Sequence, residues 1–269
     1  MTRLLPCLLL VALSLGCSRP DPDLRLILTG SSTVAPLATE IAHHFESENP
    51  GIRVDVQSGG SSRGVADTRR GLADIGMISR DLLPEETDLI AHVIARDGIG
   101  VIVHADNPIQ RLSSTQLRAI YTRAVTDWAE LGGAPGRITV VNKAAGRATL
   151  AVFLEHLQLR PDEVSADVVI GENEHGIKTV AGDPGAIGYV SIGAAEHDRG
   201  LGIPVRLVEL DGVTASRTAV ATGRYPMSRP LCLVTHGPPA GLARRFIDHA
   251  RSESAHELAA TQSFVPASS

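Results

Sequence analysis

The feature that most constrains the fold is a unit met twice in the first third of the chain: an apolar run of strand length, a glycine-serine turn, then a helical segment. Leu24 to Leu28 leads into Thr29-Gly30-Ser31-Ser32, after which Val34, Leu37, Ile41 and Phe45 recur at helical spacing over Thr33 to Glu48. Asn49-Pro50-Gly51 stops that pattern. Ile52 to Val56 then alternates as a strand, Ser58-Gly59-Gly60-Ser61-Ser62 is the turn, and Arg63 to Gly71 predicts a short helix. Asp74 to Ile78 reads as a buried strand ending at Ser79-Arg80-Asp81. Strands alternating with helices call for a mainly parallel sheet covered on both faces, so the fold class is α/β.

The same grammar continues. Ile99 to Val103 predicts a strand opening into His104-Ala105-Asp106-Asn107-Pro108, and Ser114 to Tyr121 a helix. Ile138 to Asn142 is a strand, Lys143-Ala144-Ala145-Gly146 a turn, and Arg147 to about Leu157 a helix with Leu150, Phe153, Leu154 and Leu157 on one face. Ala186 to Val190, Pro204 to Leu210 and Pro230 to Thr235 supply further strands, and Gly241 to Ala250 a closing helix. No repeat of solenoid period is present.

At the N-terminus, Arg3, the apolar run Leu8 to Leu15 and Gly16-Cys17 have the order of a secretory signal. The run is well short of the roughly 20 residues of a spanning helix, so residues 1–17 are expected to be removed. Leu13-Ser14-Leu15-Gly16-Cys17 resembles a bacterial lipobox with Ser14 and Leu15 exchanged, which implies acylation of Cys17 and a protein held at a membrane surface. An ordinary signal with an adjacent cysteine is the other reading. The polar segment Ser18 to Asp23 would be the tether.

Of three cysteines, Cys7 leaves with the signal and Cys17 would carry lipid, so Cys232 alone remains for the folded part. One thiol makes neither an intrachain disulfide nor a multi-cysteine metal site, and its apolar surroundings predict a small buried hydrophobe. The net charge of −5 without blocks of like charge offers nothing to nucleic acid. An anionic ligand would need a local site.

Three turns provide such places: Gly30-Ser31-Ser32-Thr33, Gly59-Gly60-Ser61-Ser62 and Lys143 to Thr149. First-turn N–H groups of a helix lack intrahelical partners and carry partial positive charge, glycine lets the backbone approach, and hydroxyls donate further hydrogen bonds. Singly, each turn is equally a helix cap. Jointly, they lie at strand C-termini, where open α/β sheets bind ligands.

The stretches Gly30 to Leu37, Ser58 to Val65, Ala73 to Arg80 and Gly185 to Val190 resemble, in order and spacing, the periplasmic phosphate-binding proteins of ABC transporters, the PstS-like family. The resemblance implies a two-lobed type II binding-protein fold that clamps an anion in its cleft, with no cofactor. Residues 24–102 plus 228–269 would form one lobe and residues 103–227 the other. It implies contacts from Ser32, Thr33 and the backbone at Val34, from Ser61 and Ser62, and from Ser79 and Arg80, so that Arg80→Ala would weaken anion binding more than Arg111→Ala. It also implies an ABC permease as partner and a monomeric, exported, lipid-anchored protein.

The third turn departs from the family. Where members show a basic residue followed by Gly-Ser-Gly-Thr, this chain has Lys143-Ala144-Ala145-Gly146-Arg147-Ala148-Thr149. Lys143, Arg147 and Thr149 keep the charge and hydroxyl, and an arginine fork suits an oxoanion edge, although an arginine at a helix start is also an ordinary surface residue. Some members carry Asp directly after the serine equivalent to Ser79. Here Asp81 stands one place further on and is expected to accept the phosphate proton that sulfate lacks. Sulfate, a molybdate-like oxoanion and an anion-sensing role remain alternatives. No serine lies in a Gly-x-Ser-x-Gly elbow and the ten histidines show no metal-ligand spacing, so no enzyme is expected. His43 and His44 are adjacent on the first helix and point to different faces. Core packing is expected for Tyr121, Trp128 and Tyr189, the last also being a candidate for the cleft wall.

Overall fold

The computed structural model describes residues 24–267, so the signal, Cys17 and the tether lie outside the described residues. The opening unit is β1 (Arg25–Gly30), α1 (Ala35–Glu48), β2 (Arg53–Ser58), α2 (Ser61–Arg69) and β3 (Ile75–Ile78). β1 is parallel to β2 on one side and to β3 on the other, and parallel neighbours need the crossover connections that α1 and α2 supply. α1 starts two residues after its predicted start, Thr33, because the turn takes those positions, and α2 starts two residues before its predicted start, Arg63, because Ser61 and Ser62 already belong to the helix.

Next comes β4 (Leu89–His104), 16 residues long, of which the sequence pattern predicts only the second half. Its part before Gly98 carries His92, Arg96 and Asp97 and lacks apolar alternation. β5 (Arg111–Leu112) and α3 (Ser114–Tyr121) follow, α3 matching its predicted bounds because Ser113 and Gln116 form a capping box that fixes its start. Then come β6 (Thr139–Lys143), α4 (Ala148–Leu157), β7 (Val168–Ile170), α5 (Asn173–Ala181), β8 (Ala186–Ser191) and α6 (Ile192–Gly200). The predicted strand Pro204 to Leu210 is two short ones, β9 (Val205–Leu207) and β10 (Glu209–Leu210), which pair with different partners, β4 and β5. The chain closes with α7 (Arg217–Ala221), β11 (Ser228–His236), α8 (Gly241–Ala250), α9 (Glu253–Thr261) and β12 (Val265–Pro266).

The strands run in the order β2-β1-β3-β11-β4-β8-β6-β7. The outer trios β1, β2, β3 and β6, β7, β8 are parallel, while β4 and β11 run antiparallel to their neighbours and join the two halves. The first half of β4 pairs with β11 and the second half with β8, so one strand is shared by both lobes. Two main cores lie on either side. One packs Leu28, Leu37, Ile41, Phe45, Met77 and Phe246, and the other Val101, Ile120, Tyr121, Phe153, Ile187 and Tyr189. Phe153 stacks on Tyr189 with ring centroids 3.7 Å apart, and removing such a ring costs about 3–5 kcal/mol. Cys232 is buried, and burial pushes its thiol up to about 12, as an inert hydrophobe. No described helix is long and apolar enough to cross a membrane.

Candidate functional site

Four helices begin around one polar cluster, and none of the four has a side-chain cap. α1 starts at Val34, α2 at Gly60, α4 at Arg147 and α5 at Glu172, all without a capping hydrogen bond. By contrast α3, α6, α7 and α9 are each capped by a serine, while α8, elsewhere, is also uncapped. Uncapped first turns concentrate partial positive charge where the four helices meet.

The cluster is organised by Arg229, whose side chain is 1% exposed. Its Nη1 donates to Ser79 Oγ at 3.2 Å and Thr149 Oγ1 at 2.8 Å, and its Nη2 to Thr33 Oγ1 at 3.2 Å and Asp97 Oδ2 at 3.0 Å. Arg229 and Asp97 face each other in the β11–β4 register, so the ion pair is a cross-strand pair at the junction of the lobes. Arg229 Nε has no partner among the described residues. Burial pulls this guanidinium below its ordinary value and Asp97 opposes the shift.

Around that pair the hydroxyls form a chain. Ser31 Oγ donates to Ser79 Oγ at 3.0 Å, and the Ser79 N–H donates to Ser61 Oγ at 3.2 Å. Asn173 bridges the lobes, its Nδ2 donating to Thr33 Oγ1 at 3.2 Å and its Oδ1 accepting from Lys143 Nζ at 3.1 Å. Burial brings the Lys143 ammonium down to about 7, Arg229 and Arg147 push the same way, and Glu172 opposes them. Arg147 Nη1 reaches Ser32 Oγ at 3.4 Å and Glu172 Oε1 at 2.9 Å.

Backbone contact between the lobes is equally close. The Ser62 N–H donates to Gly146 O at 3.3 Å, and a Cβ on Gly60, at φ +100°, would lie 2.8 Å from that carbonyl. Glycine at 60 is what allows the second and third turns to touch. Gly30 has the same role beneath the first turn, where a Cβ would lie 2.2 Å from Met77 O.

Thr33, Ser61, Ser79, Lys143 and Thr149 thus lie in the buried cluster, with Ser32 and Arg147 at its edge. Ser62 is exposed and contributes its N–H to Gly146. The Val34 N–H is turned back to Ser31 within its own turn. Arg80 and Asp81 are not brought in. The Arg80 guanidinium is gripped by Glu86 through two hydrogen bonds of 2.7 Å, and Asp81 is exposed. Burial pushes the Glu86 carboxyl up, but the hydrogen bonds from Arg80 and the Leu83 N–H override it and hold the group low. Arg80 therefore braces the loop after β3, because a carboxylate six residues on supplies a closer bidentate partner. Tyr189 is buried, and its hydroxyl donates to Asn142 Oδ1 at 2.5 Å and accepts from the Lys143 N–H at 3.3 Å, which positions the strand end beneath the site.

Arg229, Asp97 and Asn173 were not singled out from the sequence. The signal for the first two was present: Arg229 directly precedes the apolar run Pro230 to Val234, and Asp97 the run Gly98 to Val103. A buried charge needs a partner, and two such strands suggest each other. Asn173 has no comparable signal.

A profile of the PBP superfamily domain matches residues 18–254. The phosphate-binding protein PstS of Bacillus subtilis is 32% identical over 248 residues, covering 90% of this chain and 80% of its own length. The chain belongs to the PstS-like family. Solved structures of similar proteins agree on the two-lobed α/β fold. A phosphate ABC transporter substrate-binding protein of Clostridium perfringens, with phosphate bound, is 30% identical with a TM-score of 0.84, over 91% of this chain and all of that one. An ABC-type phosphate transport receptor of Vibrio cholerae is 28% identical with a TM-score of 0.75, over 90% of this chain and all of that one. Against the PstS-like pattern, the Lys143 and Arg147 replacements fall in the turn that faces Gly60 and Glu172.

Proposed function

We propose that this protein captures inorganic phosphate outside the cytoplasm for an ABC permease, working as a monomer held to the membrane through acylated Cys17, and that it catalyses no reaction. Residues 24–102 plus 228–269 and residues 103–227 are the two lobes of the clamp. The observation that carries the reading is the Arg229 guanidinium, which gathers hydroxyls from three separate segments, Thr33, Ser79 and Thr149. With Lys143 protonated, the three cationic groups Lys143, Arg147 and Arg229 face two carboxylates, Asp97 and Glu172, which leaves an excess of positive charge for an anion. The name of the Bacillus subtilis relative and the phosphate in the Clostridium perfringens structure support phosphate as that anion.

The binding set of this proposal is Ser32, Thr33, Ser61, Ser62, Ser79, Lys143, Arg147 and Thr149, with Arg229 and Asn173 added. Hydroxyls and uncapped N–H groups replace the water shell of the anion, and the cations balance its charge. With Asp81 exposed, Glu172 is the carboxylate best disposed to accept the proton of phosphate, because it reaches the cluster through Arg147 and is 30% exposed. Isothermal titration of the purified, ligand-stripped protein with phosphate and then sulfate tests the function. Saturable phosphate binding, lost in Arg147→Ala and retained in Arg80→Ala after a check of folding, is the expected result. Equal sulfate binding would move the assignment to another oxoanion.

A further inference from the structure

On the outer side of the first lobe, α1 and α8 bring together three groups that the phosphate site does not use. His44 and Glu48 are one helical turn apart on α1, and His249 comes from the end of α8. His44 Nδ1 lies 3.1 Å from His249 Nε2, and the two rings stack with centroids 5.1 Å apart. Glu48 reaches both rings, at 4.0 Å from His44 Nδ1 and 3.5 Å from His249 Nδ1. One ligand atom from each residue lies within 4.8 Å of the others.

We infer that His44, Glu48 and His249 form a binding site for a late first-row divalent metal ion such as Zn²⁺, clamping α1 to α8. Two imidazoles and one carboxylate with a position open to water are a ligand set that suits Zn²⁺. A Zn–N bond of about 2.0–2.1 Å at a tetrahedral angle separates two ligand nitrogens by about 3.4 Å, close to the 3.1 Å found here, and the stacked rings turn to aim both lone pairs at one ion. The spacing His44 to Glu48 puts both on one face of the helix, and the side chains are graded in exposure, 12% at His249, 39% at His44 and 54% at Glu48. An ion thus has an entry path and a partly dry floor. Phe45 holds the His249 ring from beneath at 5.2 Å, between Phe246 and the site.

The site sits about 14 Å along α1 from the phosphate cluster, nine residues at 1.5 Å each. Its consequence is therefore bracing of the first lobe and not a change in anion binding.

The test is titration of the chelator-treated, purified protein with ZnCl₂ in phosphate-free buffer, followed by calorimetry and by thermal denaturation. One Zn²⁺ per chain, a higher Tm at saturation, and binding weakened by about tenfold or more in each of His44→Ala and His249→Gln are expected. His44→Ala alters a half-exposed side chain and keeps the test usable if His249→Gln folds poorly; unchanged phosphate titration in either variant reports a native fold. Absence of saturable Zn²⁺ binding by the native protein overturns the inference, and so does binding that persists undiminished in both variants.

Discussion

Lys143 is 2% exposed beside two guanidinium groups, and its ammonium is weakened to about 7 by burial first and by Arg229 next. An unfolded lysine titrates near 10.5, so between about pH 7 and 10.5 the unfolded chain holds a proton that the folded one has shed. In that window this residue makes the ligand-free fold more stable as pH rises; below it both states are charged and the contribution disappears. A bound phosphate reverses the preference by favouring the ammonium. Binding at about pH 8 should therefore take up a proton, approaching one per phosphate, measured as the slope of calorimetric enthalpy against buffer ionisation enthalpy. Lys143→Met should lower that slope. A slope equal in both proteins would place the charge elsewhere. At the junction of the lobes, Arg229→Met alone strands the 2%-exposed Asp97 carboxylate and should destabilise by about 3–5 kcal/mol in urea unfolding. The double replacement Arg229→Met with Asp97→Leu should recover most of that stability while phosphate binding stays lost. Recovery of both would show the pair to be structural only.

Among elements, α1, α2, α4 and α5 all begin at the cluster, and the backbones of the α2 and α4 turns meet at Gly60, Ser62 and Gly146. Gly60→Ala introduces a Cβ 2.8 Å from the Gly146 carbonyl and 3.1 Å from Arg147 Cδ, at a backbone φ of +100° that alanine resists. The strain at φ acts in every state, but the contact across the lobes exists only when they meet. About 1.4 kcal/mol on that contact weakens phosphate by about tenfold, which calorimetry of the variant should show. The three turns were legible from the sequence because glycine, serine and helix periodicity are local signals. β4 was legible in half, since Ile99 to Val103 is an apolar run, whereas Ile90 to Asp97 is held in place by pairing with β11. α5, whose first residue Asn173 bridges the lobes, has no cap and a mixed pattern, so nothing local announces it.

For the whole molecule, closure couples ligand binding to stability because Asn173, Arg147 and Ser62 make contacts from one lobe to the other. Phosphate at a hundredfold excess over its Kd should stabilise the folded protein by about 2.7 kcal/mol, read as a rise in Tm by calorimetric scanning. Sulfate at the same concentration should give a smaller shift, and identical shifts would remove the selectivity assigned to Glu172. β4 carries strand pairing for both halves, with β11 over its first part and β8 over its second. The buried ion pair between β11 and β4, Arg229 with Asp97, ties the cluster to that shared strand.

By itself the sequence determined the alternation of strands and helices, the glycines on which the turns depend, the hydroxyls at their tips and the basic character of the third turn. These are properties of residues within about ten positions of one another, where periodicity and capping act. Only the tertiary structure decided which cations face the cluster. Arg80, adjacent to Ser79, is taken by Glu86, while Arg229, 150 residues from Ser79, is delivered to it by the antiparallel register of β11. It likewise decided that His44 meets His249 across 205 residues. A charged side chain is committed by the geometry of its partners, and partners distant in the chain become neighbours only when the sheet and helices have packed.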